Sequence, residues 1–558
     1  MNNFQTGSSS LPLVIQLGFA GSRRLLDSDA FPNVAPAAFE AQIEAWLVER
    51  LRKLRLDLGL ESRHFFCGIS AVASGGDTIF SRACQAEGIC QRVLLPQTRD
   101  EFLKAGGGQS PDFSEAQKAE AVRLLDSPHV IQERLVSDAA VREERFADVN
   151  REIVRVSDVL LCLLREGSVG KPGGTEDLVA RAVQRGKPVL VVHVGMADGK
   201  PAFTERWRLP ERCGSTPALP AEALELPRTL KGVPLPAGDG KASLIERYAA
   251  AVKGVASAAA AGMQAKFKLM VKLIIGTHIA AMVLAAVVMG FGRFDWPFMP
   301  VLLLLELVML AVGLWVHHLL HNSRASHYWA EARLLAEVTR SVLAVGKLHL
   351  YLEYLFSLPF PGAVRPMLRT INVLQLRCTR HDREDWRAKR DLYVKQRLAI
   401  RGNGQLDFYQ RRKGESAGQL KHLHIAFHVC WIVAFLSTSS KLVLHHWLEQ
   451  QAATGEVLIG LLGTLAIVMP VLAAGALSLA GAMDLEAQEH TYREMLEFLE
   501  QQEMNLNGAG SERDYAALVL ETESALLGET ANWFSRRSFT GVTGRAGKSD
   551  LQISPRRP

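Results

Sequence analysis

Two long apolar runs, Leu273 to Phe291 and Phe298 to Leu320, lie back to back, separated only by the break Gly292-Arg293-Phe294-Asp295-Trp296-Pro297. Each is about 19 residues or longer, and at a helical rise of 1.5 Å per residue such a run crosses the ~30 Å hydrocarbon core of a bilayer. Helices buried in soluble cores rarely sustain more than about 14 consecutive apolar residues. A second pair, about Leu423 to Trp447 and Val457 to Met483, repeats the arrangement. The pattern predicts four membrane-spanning helices in two hairpins. Charged, helically periodic stretches follow each hairpin, from Ala325 to Glu337 and from Asp484 to Met495, so the spans are expected to continue as helical stalks outside the bilayer.

The first part of the chain has a different rhythm. From Leu13 to about His193, short apolar runs alternate with amphipathic stretches, the signature of parallel strands joined by helices. The expected strands are Leu13 to Phe19, Phe65 to Val72, Arg92 to Leu95, Val159 to Leu164 and Val189 to His193. Helices are expected over Ala37 to Leu56, Thr78 to Glu87, Arg142 to Val154 and Glu176 to Arg185. From Gly195 to Gly240 prolines and glycines break any period, which indicates a linker that either gives the first domain freedom of movement or folds over its pocket. The predicted fold class is an α/β Rossmann-like N-terminal domain plus an all-α membrane domain with four transmembrane helices and cytoplasmic helical extensions. Its boundaries are expected at 1–200 for the α/β domain, 201–264 for linker and pre-membrane helix, and 265–322 for the first hairpin. A cytoplasmic helical region should follow over 323–420, the second hairpin over 421–483 and a helical tail over 484–558.

Composition refines this picture in two respects. Hydrophobic residues make up 48% of the 558, between the values typical of soluble proteins and of transporters, as a fusion of the two kinds requires. The net charge is +6, with Lys and Arg concentrated beside the spans, where they orient helices, so nucleic acid is not an expected partner. Lys266, Lys268 and Lys272 precede the first span and Arg380, Arg383, Arg387, Lys389 and Arg390 crowd the segment between the hairpins, which places both termini and that segment in the cytoplasm. The seven cysteines form no CxxC pair and fit reduced cytosolic thiols, and the opening MNNFQTGSSS carries no signal-peptide pattern.

Three loops follow the carboxyl ends of expected strands, the edge at which open α/β sheets bind ligands. They are Gly18-Phe19-Ala20-Gly21-Ser22-Arg23-Arg24, then Ala73-Ser74-Gly75-Gly76-Asp77, and Gly170-Lys171-Pro172-Gly173-Gly174-Thr175-Glu176. Glycines let a backbone approach an anion closely, and a helix start offers free N–H groups and a positive dipole end. Three such loops on one edge, the first with an arginine pair, point to a pocket for a nucleotide or nucleotide sugar. Arg142 and Arg145 sit on the helix before the fourth expected strand, either as further phosphate ligands or as part of a solvated face. Neither a metal-binding cluster nor a cofactor motif emerges, so the expected small molecule is a nucleotide-derived ligand alone.

The stretches GFAGSRR, SGGDTIFSRACQAEGI with RVLLP, SDVLLCLLREG, and PGGTEDLVARAVQRGKPVLVV resemble, in order and spacing, the SLOG superfamily over about residues 11 to 200. That Rossmannoid group includes LOG-type nucleotide phosphoribohydrolases, DNA-processing proteins and the ligand-sensing domain of TRPM-type channels. The resemblance implies a nucleotide-derived ligand held by Gly21, Ser22, Arg23, Ser74, Gly75, Gly76, Gly173, Gly174 and Thr175. The hydrolytic members carry PGGxGTxxE, whereas here Thr175 follows Gly174 directly and Leu178 stands three residues on, so the catalytic glutamate of the pattern is missing. Glu176 is adjacent and either substitutes for it, contacts a ribose hydroxyl or complements the helix dipole.

The two-hairpin layout, with HDREDWRAKRDLYVKQRLAIRGNGQLDFYQRRKGES before the second hairpin and ALVLETESALLGETANWF near the end, resembles the SLATT type of membrane effectors over roughly 265 to 535. It implies a pore-forming or membrane-disrupting homo-oligomer in a bacterial inner membrane, switched by a nucleotide second messenger in antiphage defence by abortive infection. Such a system would include a signal-producing enzyme encoded alongside. Within the spans, Glu306 is costly in hydrocarbon and is expected either to face a water-filled path or to pair, for example with Lys441. Rival expectations are a membrane-tethered nucleotide hydrolase or glycosidase using Glu176, and a membrane scaffold with a degenerate pocket.

Overall fold

The structure is a computed structural model that describes residues 10–26, 34–104, 113–167, 174–236, 243–292, 297–323, 325–346, 348, 350–352, 364–378, 385–399, 404–448 and 454–539. The chain divides into two compact units. Met1–Val252 together with His349–Asp382 form the first, and Lys253–Leu348 with Arg383–Pro558 form the second.

The first unit is an α/β layer structure. Its strands are β1 (Val14–Gly21), β2 (Phe65–Ser70), β3 (Cys90–Leu95), β4 (Val130–Leu135), β5 (Val159–Arg165), β6 (Val189–Ala197) and β7 (Lys200–Arg208). They form one sheet in the order β4-β3-β2-β1-β5-β6-β7. The first six are parallel and β7 returns antiparallel on β6. The connecting helices are α1 (Pro36–Asp57), α2 (Gly76–Ala86), α3 (Arg99–Lys104), α4 (Glu115–Leu125), α5 (Arg142–Val156) and α6 (Thr175–Gln184), followed by the short α7 (Ala221–Leu224).

Residue alternation sets the two faces. Ile15, Leu17 and Phe19 of β1 point to one side, where Phe39, Ile43 and Leu47 of α1 and Ile79 and Phe80 of α2 cover them, with Phe19 and Phe80 stacked at 4.2 Å. On the other side Ala20, Leu160, Cys162 and Leu164 pack beneath Val149 and Ile153 of α5 and Leu178 and Ala182 of α6. The chain winds outward from β1 to β4 and then crosses back to β5 on the other flank of β1. The carboxyl ends of β1 and β5 therefore diverge, which is the crevice where doubly wound sheets take ligands. The sheet contains every expected strand and two more. β4 (VIQERL) and β7 (KPAFTERWR) are edge strands, half exposed and charged, so neither shows the apolar run of a buried strand. β7 takes up the start of the proline-rich segment expected to be linker.

The helical elements that follow are α8 (Leu244–Phe291), α9 (Met299–Asn322), α10 (Ala325–Gly346), α11 (Arg365–Cys378), α12 (Trp386–Tyr393), α13 (Gln405–Leu448), α14 (Thr454–Ala482), α15 (Leu485–Asn507) and α16 (Glu512–Phe539), with a π-helical turn at Val394–Leu398 after α12. Among the described residues, α8, α9, α13 and α14 are long and apolar enough to cross a membrane. Small residues mediate their approach: a Cβ on Gly290 of α8 would lie 3.2 Å from the carbonyl of Gly460 in α14, and one on Gly313 of α9 would lie 2.7 Å from Thr277 Oγ1 of α8. The outward faces carry Leu303, Leu304, Leu307, Trp431 and Phe435, all exposed as lipid-facing positions should be. In the rest of the second unit, α10 buries Trp329, Leu334, Leu335, Val338 and Val342, and Arg333 stacks on Trp533 of α16 at 4.2 Å.

The segment between the hairpins does not stay wholly with the helical unit. α11 belongs to the α/β unit and closes the amino-terminal edge of its sheet. Thr370 Oγ1 accepts the N–H of Val14 at 2.9 Å, and Val373 packs with Val14, Cys67 and Cys90. The Arg369 guanidinium binds the Asp158 carboxylate and donates to the Ala223 carbonyl at 3.2 Å, while the other Asp158 oxygen accepts the N–H of Gln16 at 2.8 Å.

Candidate functional site

The loops after β1 and β2 meet backbone to backbone. Gly75, which precedes α2, holds φ at +89°, and a Cβ there would sit 2.2 Å from the Arg23 carbonyl oxygen. A Cβ on Gly21 would sit 2.7 Å from the Gly76 Cα. Side chains at these positions would force the loops apart, so glycine is a requirement of the clasp. One backbone hydrogen bond crosses it, from Gly76 N–H to the Ser22 carbonyl at 3.0 Å, while Thr78 Oγ1 donates to the Gly75 carbonyl at 2.8 Å within the second loop. Ser22 also reaches the neighbouring strand, donating its N–H to the Leu163 carbonyl at 2.8 Å and accepting the Arg165 N–H on its hydroxyl at 3.3 Å. The first loop is thereby tied on one side to β2 and on the other to β5.

Asp77 sits inside this clasp. One carboxylate oxygen accepts the Gly21 N–H at 3.1 Å and the other the Ala73 N–H at 3.3 Å. Burial pushes its pKa up to about 7, against the opposing pull of these N–H groups and of the Arg23 charge. Its two oxygens are thus occupied in bracing the loops that a ligand would touch.

The arginines converge from two elements. Arg23 lies 5.1 Å from the ring centre of Phe146 on α5, and Arg142, one turn earlier on the same helix, lies 5.7 Å from it. One aromatic ring therefore gathers two exposed guanidinium groups beside the crevice. Arg24 is exposed and makes no hydrogen bond or ion pair among the described residues. Arg145 is turned to internal work, donating to the Ala139 carbonyl at 2.5 Å and to Gln97 Oε1 at 3.0 Å, which fixes the loop after β3. Ser74 is buried in the second loop.

The third loop is less fully seen. Gly173 lies outside the described residues, while Gly174 caps α6 and Thr175 opens it. Leu178 of that helix packs in the same core cluster as Ala20 of β1, which sets the α6 start on the β5 flank. Glu176 is exposed in the first turn and Asp177 pairs with Arg181 at 2.9 Å. Among the described residues no group of His, Cys, Asp and Glu gathers as a metal site.

Two residues of this edge escape a reading of loops alone. Val72, fully buried at the end of β2, holds φ at +55°, a left-handed conformation that costs a β-branched residue about 1–3 kcal/mol. It redirects the chain from β2 into the clasp. Phe146 is the other, and its signal in the sequence was only an aromatic between charges in VREERF. In the membrane helices, Glu306 is half-exposed and makes no ion pair with Lys441 among the described residues; the Lys441 ammonium lies instead where a Cβ on Gly463 of α14 would be 3.2 Å away. The N–H groups of Gly21, Ser22, Ala73 and Gly76 are taken by protein acceptors, so what the sheet edge offers an anion is a helix start and two clustered guanidinium groups. Compared with protein-family models, curated proteins and solved structures, the chain finds no match.

Proposed function

We propose that this chain is a membrane effector whose α/β unit binds a nucleotide-derived anion at the crossover between β1 and β5 and whose helical unit changes bilayer permeability in response. The observation that carries the reading is the glycine clasp at the carboxyl end of β1, with Arg23 and Arg142 gathered on Phe146, in the same chain as four apolar helices. Phosphate groups would take the charge of the guanidinium pair, and the glycines let the two loops meet closely enough to hold Arg23 beside α5. Gating requires that the ligand bind the active arrangement more tightly than the resting one, since equal affinity shifts nothing.

Four spans per chain are too few for a wide aqueous path, so the active form is a homo-oligomer. Glu306 supports this, because a carboxylate within a span costs at least about 2.5 kcal/mol unless it meets a partner or water. On this reading the system sits in a bacterial inner membrane, as the resemblance to SLOG and SLATT proteins implies, with both termini cytoplasmic, which the basic residues flanking the spans support. There a second messenger made by a companion enzyme during phage infection would trigger abortive loss of the membrane potential.

The test uses the full chain in dye-loaded liposomes. Nucleotides and cyclic or sugar-linked derivatives are added in turn, and at least one should release dye from wild type but not from Arg23→Ala/Arg142→Ala protein that remains membrane-inserted. Permeability unchanged by a nucleotide shown to bind would reject gating. Free base appearing in the same mixtures would instead identify a hydrolase, with Glu176→Gln as its control.

A further inference from the structure

The helical unit contains a cavity of about 700 Å³ lined by residues of that unit alone. Its charge is one-sided. Lys253, Arg340, Arg397 and Arg411 line it against the single acid Glu337. Arg397 is buried and its Nε and Nη2 hold the fully buried Glu523, each at 2.8 Å, with Ser341 beside them. Even with Glu523 counted, cations outnumber acids at this wall. Arg397 comes from the π-helical turn Val394–Leu398, a local widening of the helix that turns side chains out of their regular direction and is frequent at binding sites.

Two further features face the same space. Gly404 and Gln405, the start of the 44-residue helix α13, line the cavity, so the positive dipole end of that helix opens onto it. Gln405 is 8% exposed, yet its side-chain amide makes no hydrogen bond among the described residues. With no partner among the described residues, that amide is free to bond what enters the cavity. Leu343, Leu348, Leu392 and Phe408 add apolar surface to the same lining. A site that combines cations at a helix start with apolar surface and an aromatic ring fits a phosphate group carrying a flat or apolar body.

We propose that this cavity is a second anion site, which takes the phosphate of a nucleotide-sized organophosphate at the start of α13. The same phosphate chemistry could be offered by a lipid headgroup. Position favours a soluble donor: Lys253 precedes the apolar run at Leu273 by about 30 Å of helix, and Arg411 precedes that at Leu423 by about 18 Å. Both lie beyond the ~5–8 Å headgroup layer on each side of the hydrocarbon core.

The experiment uses the full chain in phosphatidylcholine nanodiscs, titrated with ATP and with inorganic pyrophosphate by calorimetry. Arg23→Ala/Arg142→Ala serves as background, so that the sheet edge does not contribute and failure there is separable from failure here. ATP binding that persists in this background and weakens about tenfold or more on Arg411→Glu, a change at an exposed side chain that leaves the fold alone, supports the site. Gln405→Leu should weaken it as well. In nanodiscs doped with phosphatidic acid, displacement of ATP would assign the phosphate to lipid, and undiminished ATP binding would assign it to a soluble ligand. Absence of binding by ATP, pyrophosphate and phosphatidic acid alike, or binding indifferent to Arg411→Glu and Gln405→Leu, would overturn the proposal.

Discussion

Replacing Gly75 by alanine is the sharpest test of the clasp. At φ +89° an L-residue pays roughly 1–3 kcal/mol in backbone strain, and its Cβ would be 2.2 Å from the Arg23 carbonyl oxygen, closer than any relaxed contact. The loops must part, which also forfeits the 3.0 Å hydrogen bond from Gly76 N–H to Ser22, a loss of about 1 kcal/mol. The sum is roughly 3 kcal/mol of local stability. Gly59, at φ +61° with no atom within 4 Å of its hypothetical Cβ, isolates the strain term, and Gly59→Ala should cost only about 1 kcal/mol. Hydrogen exchange of the full chain in nanodiscs reads both changes amide by amide, without requiring the membrane helices to unfold. Gly75→Ala should speed exchange at Ser22 and Gly76 by about a hundredfold and abolish nucleotide response, while Gly59→Ala leaves that response intact. Equal effects of the two substitutions would mean that the loops do not touch as described.

Three other perturbations test other parts of the argument. Because burial raises Asp77 from 3.8 to about 7, the folded unit holds a proton that the unfolded chain has released. Stability should therefore fall as pH rises from about 4 to 7 and level off above, with a slope of up to about 1.4 kcal/mol per pH unit that Asp77→Asn removes in denaturation monitored by exchange at β1. Glu523→Leu leaves the buried Arg397 guanidinium without its counterion and should destabilise the helical unit by about 3–5 kcal/mol, visible as a lowered thermal midpoint in detergent. Thr370→Val removes the acceptor of the buried Val14 N–H and should accelerate exchange at β1 by about five- to a hundredfold, an effect absent if α11 does not seat on the sheet.

The five central strands and the four spans were legible because burial on both faces, or in lipid, writes itself as an uninterrupted apolar run. β4 and β7 were not, since an edge strand is only half buried and its other half carries Gln132, Glu133, Thr204 and Glu205 like any loop. At the candidate site, the glycines announced themselves through composition, whereas the duty of Asp77 did not: a carboxylate that braces two loops and one that meets a ligand look alike in sequence. α11 was hidden for another reason. Its partners lie far back in the chain, at a sequence separation of 356 between Thr370 and the Val14 amide it satisfies, and no local pattern encodes so distant a contact.

That late helix has consequences for how the molecule is made. On the ribosome, β1 emerges hundreds of residues before the side chain that completes its hydrogen bonding, and both spans of the first hairpin are synthesised in the interval. The α/β unit can reach its finished state only after both of those apolar helices have been made, because α11 follows them in the chain. A chain that stops short of α11 keeps the Val14 amide unsatisfied and leaves Val14, Cys67 and Cys90 without the cover of Val373.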